Sequence, residues 1–224
     1  TNTYNGTTTI NGGVLAIASN TGLGSVVGGT VIGAAGTLDL QGVTVGAEAL
    51  TLSGGVLQDV TSSLAGNITL TADSTIRTNT SDTLTLSGCI SGTGYGIIKV
   101  GNGSLKLTGA NTYTGNTNIS AGTLTVNGSL SDLTAVSVDT NATYNVDNTD
   151  TVGSIAGNGT ISISTGTSGA KTLSVGNDGT STTFGGVIQN GNGTLSLTKV
   201  GAGTLTLGSA NSTYSGGTSI NAGI

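Results

Sequence analysis

Along most of this chain apolar residues alternate with Thr or Ser for three to five positions, and then Gly or Asn breaks the run. Leu50-Thr51-Leu52, Ile68-Thr69-Leu70, Leu84-Thr85-Leu86, Leu105-Lys106-Leu107 and Leu124-Thr125-Val126 show the pattern in the first half. Val136-Ser137-Val138, Ile161-Ser162-Ile163, Leu195-Ser196-Leu197 and Leu205-Thr206-Leu207 continue it in the second. A period of two gives each segment one apolar and one hydroxyl-bearing face, which predicts short β-strands. Helical spacing is nowhere sustained, and the glycine density would penalise a helix heavily. The expected fold class is therefore all-β. Asn-Gly pairs such as Asn11-Gly12, Asn102-Gly103 and Asn127-Gly128 supply residues that tolerate positive φ at tight turns. The same pair also signals hairpins, so a hairpin-rich sandwich stays open at this level.

A longer self-similarity narrows the architecture. Asn111-Thr112-Tyr113-Thr114-Gly115 returns as Ser212-Thr213-Tyr214-Ser215-Gly216 and as Asn2-Thr3-Tyr4-Asn5-Gly6. Upstream, Lys99-Val100-Gly101-Asn102-Gly103 matches Lys199-Val200-Gly201-Ala202-Gly203. Copies at 1–15, 99–126 and 199–224 give a period of roughly 100–110 residues, the signature of a repeat architecture. The sequence thus reads as one continuous solenoid segment, residues 1–224, cut from a longer array.

Composition removes most chemistry. Gly, Thr, Ser and Asn make up well over half of the chain, charged residues are 7%, and Pro, Met, Trp and His are absent. Without His there is no Ser-His-Asp or Cys-His machinery. One Cys excludes an internal disulfide framework. Five cations against ten acids, with no basic cluster, exclude nucleic acid as a partner. Abundant Val, Ile and Thr with no Pro separate the chain from a disordered linker. No apolar run is long enough for a transmembrane helix, and no cofactor is expected.

The pattern Gly-x-Gly-x-Leu-x-Leu, followed by Ala110-Asn111-Thr112-Tyr113-Thr114-Gly115 and then Ile119-Ser120-Ala121-Gly122-Thr123-Leu124, resembles the autotransporter-associated β-strand repeat, or passenger-associated transport repeat. That resemblance implies a right-handed parallel β-helix, exported and held at the outer surface of a Gram-negative-type bacterium or released from it. It implies an adhesive or structural role and names no ligand. At about 20 residues per coil the chain would make roughly eleven coils, stacked at about 4.8 Å into a rod of roughly 50 Å. Axial partners are expected to be like chains or further coils of the same chain. Surface glycans or neighbouring cells are the expected lateral partners.

Tyr4, Tyr113 and Tyr214 are candidate surface contacts that could stack on sugar rings; alternatively each packs over a turn with its hydroxyl outward. Cys89 aligns with Val187 and is expected at an inward, hydrophobic position. Lys99 and Lys199 are expected as solvated strand-end cations or as edge charges that discourage lateral pairing. Asp147-Asn148-Thr149-Asp150 reads as a solvated loop, with calcium contact as the other option. The scattered carboxylates and the single arginine, Arg77, disfavour a carbohydrate-active enzyme, which needs clustered acids in a groove. The Thr-x-Thr pairs would suit ice or a glycan only if they met on one face, and their spacing along the chain is irregular.

Overall fold

The computed structural model describes residues 1–224 and contains twenty-five strands and no helix. Every strand ladder is parallel, so the Asn-Gly pairs turn corners and close no hairpins. The chain winds as a β-solenoid whose coils present three faces. The first begins with Thr8–Ile17 and the first half of Thr30–Gln41, and runs through Leu50–Ser53, Ile68–Ala72 and Ile90–Ser91. Beyond an irregular stretch it resumes at Asp150–Val152, Ala170–Val175, Thr194–Lys199 and Thr218–Ile220. The third face stacks eight short strands, among them Thr83–Leu86, Ser104–Leu107, Thr123–Val126 and Thr143–Val146.

The second face counts the coils. Its strands succeed one another from the far halves of Thr8–Ile17 and Thr30–Gln41 through Val56–Val60, Ser74–Thr78, Ile97–Val100, Thr117–Ile119, Ala135–Val138, Ser154–Gly157 and Thr182–Phe184 to Leu205–Leu207. That makes ten coils rather than eleven, because coils vary in length. Tyr144 lies in register with Ile161 and Ile161 with Ile188, so one coil takes 17 residues and the next takes 27. The extra residues leave at corners, and register on the faces survives.

Register follows from the alternation. Leu84, Leu105, Leu124, Tyr144, Ile161 and Ile188 form one inward ladder, and Leu64, Leu86, Leu107, Val126 and Val146 another. Forty-one buried apolar residues join into a single core cluster. Each fully buried Leu or Ile contributes about 1.5–3 kcal/mol of transfer free energy. Slipping a strand by one residue would turn its hydroxyls inward, which fixes the register. Corners depend on glycine where coils touch: Gly101 has φ +78°, and a Cβ there would meet the Thr78 carbonyl oxygen at 2.2 Å.

Candidate functional site

The repeated residues build an interior fastening, and the three tyrosines show its first part. Each tyrosine hydroxyl shares a hydrogen bond with the threonine four residues on: Tyr4 with Thr8 at 2.7 Å, Tyr113 with Thr117 at 2.6 Å and Tyr214 with Thr218 at 2.6 Å. Tyr113 and Thr117 are completely buried, and the Thr134 hydroxyl of the next coil donates to the Tyr113 carbonyl at 2.8 Å. Tyr113 therefore offers no surface to a ligand, and its hydroxyl points to a threonine and away from solvent. Burial raises its phenol above the ordinary range. Tyr4 is 43% exposed and Tyr214 is half-buried against the core. Upstream of the tyrosine, Asn111 accepts from the Ile90 amide at 3.0 Å, as Ser212 accepts from the Ile188 amide at 3.1 Å, so each copy is tied to the coil before it.

The lysines correct the expectation of solvated cations. Lys99 stands in an inward ladder between Ile76 and Ile119, and Lys199 between Val175 and Ile220. Both are buried. The Lys99 ammonium donates to the carbonyls of Val100 (3.1 Å), Gly101 (2.7 Å) and, from the next coil, Ala121 (3.1 Å). Lys199 repeats the arrangement with Val200, Gly201 and Ala222. An ammonium has three donors, and here three corner carbonyls use them. Burial pulls the Lys99 ammonium down to about 8. The signal was present in the sequence: Lys99 shares parity with Ile97 and so belongs to the inward set.

The acidic residues do not gather. Asp147 is buried and accepts from the Ser164 amide (2.8 Å), the Ser164 hydroxyl and the Thr167 hydroxyl (2.8 Å). Asp150, also buried, accepts from the Leu130 amide at 2.8 Å. The 147–150 stretch is thus a cross-coil tie, which replaces the expected solvated loop. Asp59 points inward on the second face, fully buried, and neither carboxylate oxygen has a partner. Burial pushes its carboxyl up to about 6, and the carboxyl of Asp150 likewise. No three His, Cys, Asp or Glu residues stand close enough to hold a metal.

Cys89 is half-buried beside the Thr112 hydroxyl, and the inward position falls to its neighbour Ile90. Its counterpart Val187 is half-buried in the same way, next to inward Ile188. On the outside of the third face, coils of different length bring hydroxyl pairs into line. Thr83 and Thr85, Ser104 and Lys106, Thr123 and Thr125, Thr143 and Asn145, and Thr160 and Ser162 occupy matching positions in five successive coils. Spacing that is irregular along the chain is regular in space, but Lys106 and Asn145 interrupt the hydroxyl array, and Thr125 and Ser162 are buried.

A family model described as the passenger-associated-transport-repeat matches residues 1–17, 97–126 and 197–224, the segments that carry the tyrosine and lysine fastenings. The chain carries three stretches similar to the passenger-associated transport repeat. The adhesin BmaC autotransporter of Brucella suis biovar 1 (strain 1330) is 43% identical to it over 98 residues, 43% of this chain. Those residues span 3% of that relative's length. No solved structure matches the chain. In the matched segments 97–126 and 197–224, Lys99 and Lys199 are buried and bond to carbonyls of the next coil, so these copies of the motif tie coil to coil.

Proposed function

We propose that this chain is a rigid segment of an adhesive, non-enzymatic surface passenger, displayed outside a Gram-negative-type cell. The observation that carries the reading is the ten-coil stack, in which Lys99, Asn111 and the Tyr113 carbonyl of the repeat bond to neighbouring coils. Similarity to an adhesin supports the adhesive half of the reading. Parallel ladders running along the axis resist bending and stretching together, and such a rod of roughly 50 Å sets a distance between a cell and whatever its passenger touches. Axial partners of the same kind, further coils of one polypeptide or stacked like chains, suit parallel ladders whose pairing repeats from coil to coil.

The test is to display the passenger with this chain in place, deleted, or replaced by an unrelated solenoid of equal length, on a non-adherent Gram-negative host. Attachment that falls on deletion and returns with the replacement supports a spacer role. Attachment indifferent to deletion overturns the reading. The aligned hydroxyl face favours a second reading, a glycan contact along the third face. It predicts that the unrelated solenoid fails to restore attachment.

A further inference from the structure

A cleft of about 260 Å³ opens at one corner of the early coils, between the irregular loop 18–29 and the segment 44–48 of the next coil. Leu23 and Val45, both 3% exposed, floor it, Val26 forms an apolar lip, and Asn20, Thr21 and Thr44 rim it. Asn20 holds the two walls together by accepting from the Thr44 amide at 2.9 Å.

The chemically demanding residue is Glu48. It lines the cleft and is 3% exposed. Its Oε1 accepts from the Thr30 hydroxyl at 2.8 Å, whereas Oε2 accepts from no protein group and meets solvent only through the cleft. None of the five cationic side chains of the sequence lines the cleft. A carboxylate that has lost most of its hydration favours a cation or further donors at the oxygen left open. One hydroxyl is a small replacement.

We propose that this cleft is a receptor for a primary ammonium group carried on a small sugar or aliphatic body. An ammonium is compact and brings three donors, for which Glu48 Oε2 and the hydroxyls of Thr21 and Thr44 are acceptors. The apolar floor suits the body that carries it. A guanidinium fits less well, because its fork uses both carboxylate oxygens and Oε1 is engaged. A divalent cation asks for six or more oxygens, commonly several carboxylates, and Glu48 is the one carboxylate in the lining. A neutral sugar leaves the buried charge unpaired. The site is independent of the spacer reading and would bind its ligand on a rod of any role.

The probes are glucosamine, N-acetylglucosamine and Nα-acetyl-lysine amide, titrated into the labelled chain while the amide resonances of Gly24, Val45 and Gly46 are followed. Saturable shifts with glucosamine or the lysine derivative, and none with N-acetylglucosamine, are expected; whichever amine binds more tightly identifies the carrier. Glu48→Gln removes the charge while keeping an acceptor for Thr30, and should weaken amine binding at least tenfold. Thr44→Val, at an exposed rim position, should weaken it a few-fold and leave the fold intact if Glu48→Gln disturbs it. Equal binding of N-acetylglucosamine, amine binding unchanged in both variants, or saturable calcium binding without amine binding would each overturn the proposal.

Discussion

The repeat copies at 97–126 and 197–224 use the same residues to make the same bonds from different faces of the coil. Lys99 lies on the second face, above Ile76, Leu57 and Leu38, whereas Lys199 lies on the first, above Val175 and Val152. The sequence period therefore does not equal a whole number of coils, and the later copy is set one face back. A motif that had to present a surface could not tolerate that rotation, since its residues would point in different directions. A motif that fastens a corner can, because each corner needs the same donors wherever it falls. Burial separates the copies further: Tyr113 is completely buried and Tyr214 is half-buried.

The sharpest way to break this comparison is to truncate the tyrosines. Tyr113→Ala should cost about 3–5 kcal/mol in denaturant unfolding, the usual range for a buried aromatic, and Tyr214→Ala no more than about 1–2 kcal/mol. Equal losses would show that the two copies carry the same load despite their different cover. The lysines come next. Lys99→Met keeps the aliphatic stem and leaves three corner carbonyls without donors, at a cost of about 2–4 kcal/mol. Lys199→Met should cost less, since its contact to the next coil, Ala222, is longer at 3.3 Å.

A contrast between motif and spacer coils can be sharpened by pH. Lys99 has three acceptors, whereas Asp59, in a coil outside the motif, is buried with none. Its carboxyl is raised from 3.8 to about 6, so the folded chain holds that proton more tightly than the unfolded chain does. The resulting stabilisation is present below about 4 and is lost as pH rises through about 6. Melting temperature should therefore rise from pH 7 to pH 4.5, and Asp59→Asn should flatten that rise. A curve unchanged by the substitution would assign the effect to Asp150, which is raised to the same value. The smallest effect concerns Cys89: its half-buried thiol should react with a maleimide in the native state, and Cys89→Ser should change stability by about 0.5 kcal/mol or less.

Much of the architecture was legible before any coordinates. Strict alternation with Gly and Asn breaks gave strands, and the recurring motif gave a solenoid of repeats. Lys99 shares parity with inward Ile97, and Asp59 with inward Leu57. The expectation that charge stays in water overrode that signal, and it failed because corner carbonyls supplied the lysine with partners. The roles of Tyr113 and of the 147–150 stretch depended on which coil lies above each of them. Glu48 gave no warning, since its cleft is assembled from two coils about 20 residues apart.

By itself the sequence determined the strand class, the inward and outward faces and the repeated motif, because these follow from the two-residue period and from local turn chemistry. Tertiary structure decided how many coils form, on which face each copy falls, and which polar groups find partners. Those outcomes depend on the varying lengths of the corner loops, which set how far the chain turns between one strand and the next. Coil stacking then brings residues 17–27 positions apart into register, a distance over which no local pattern reports.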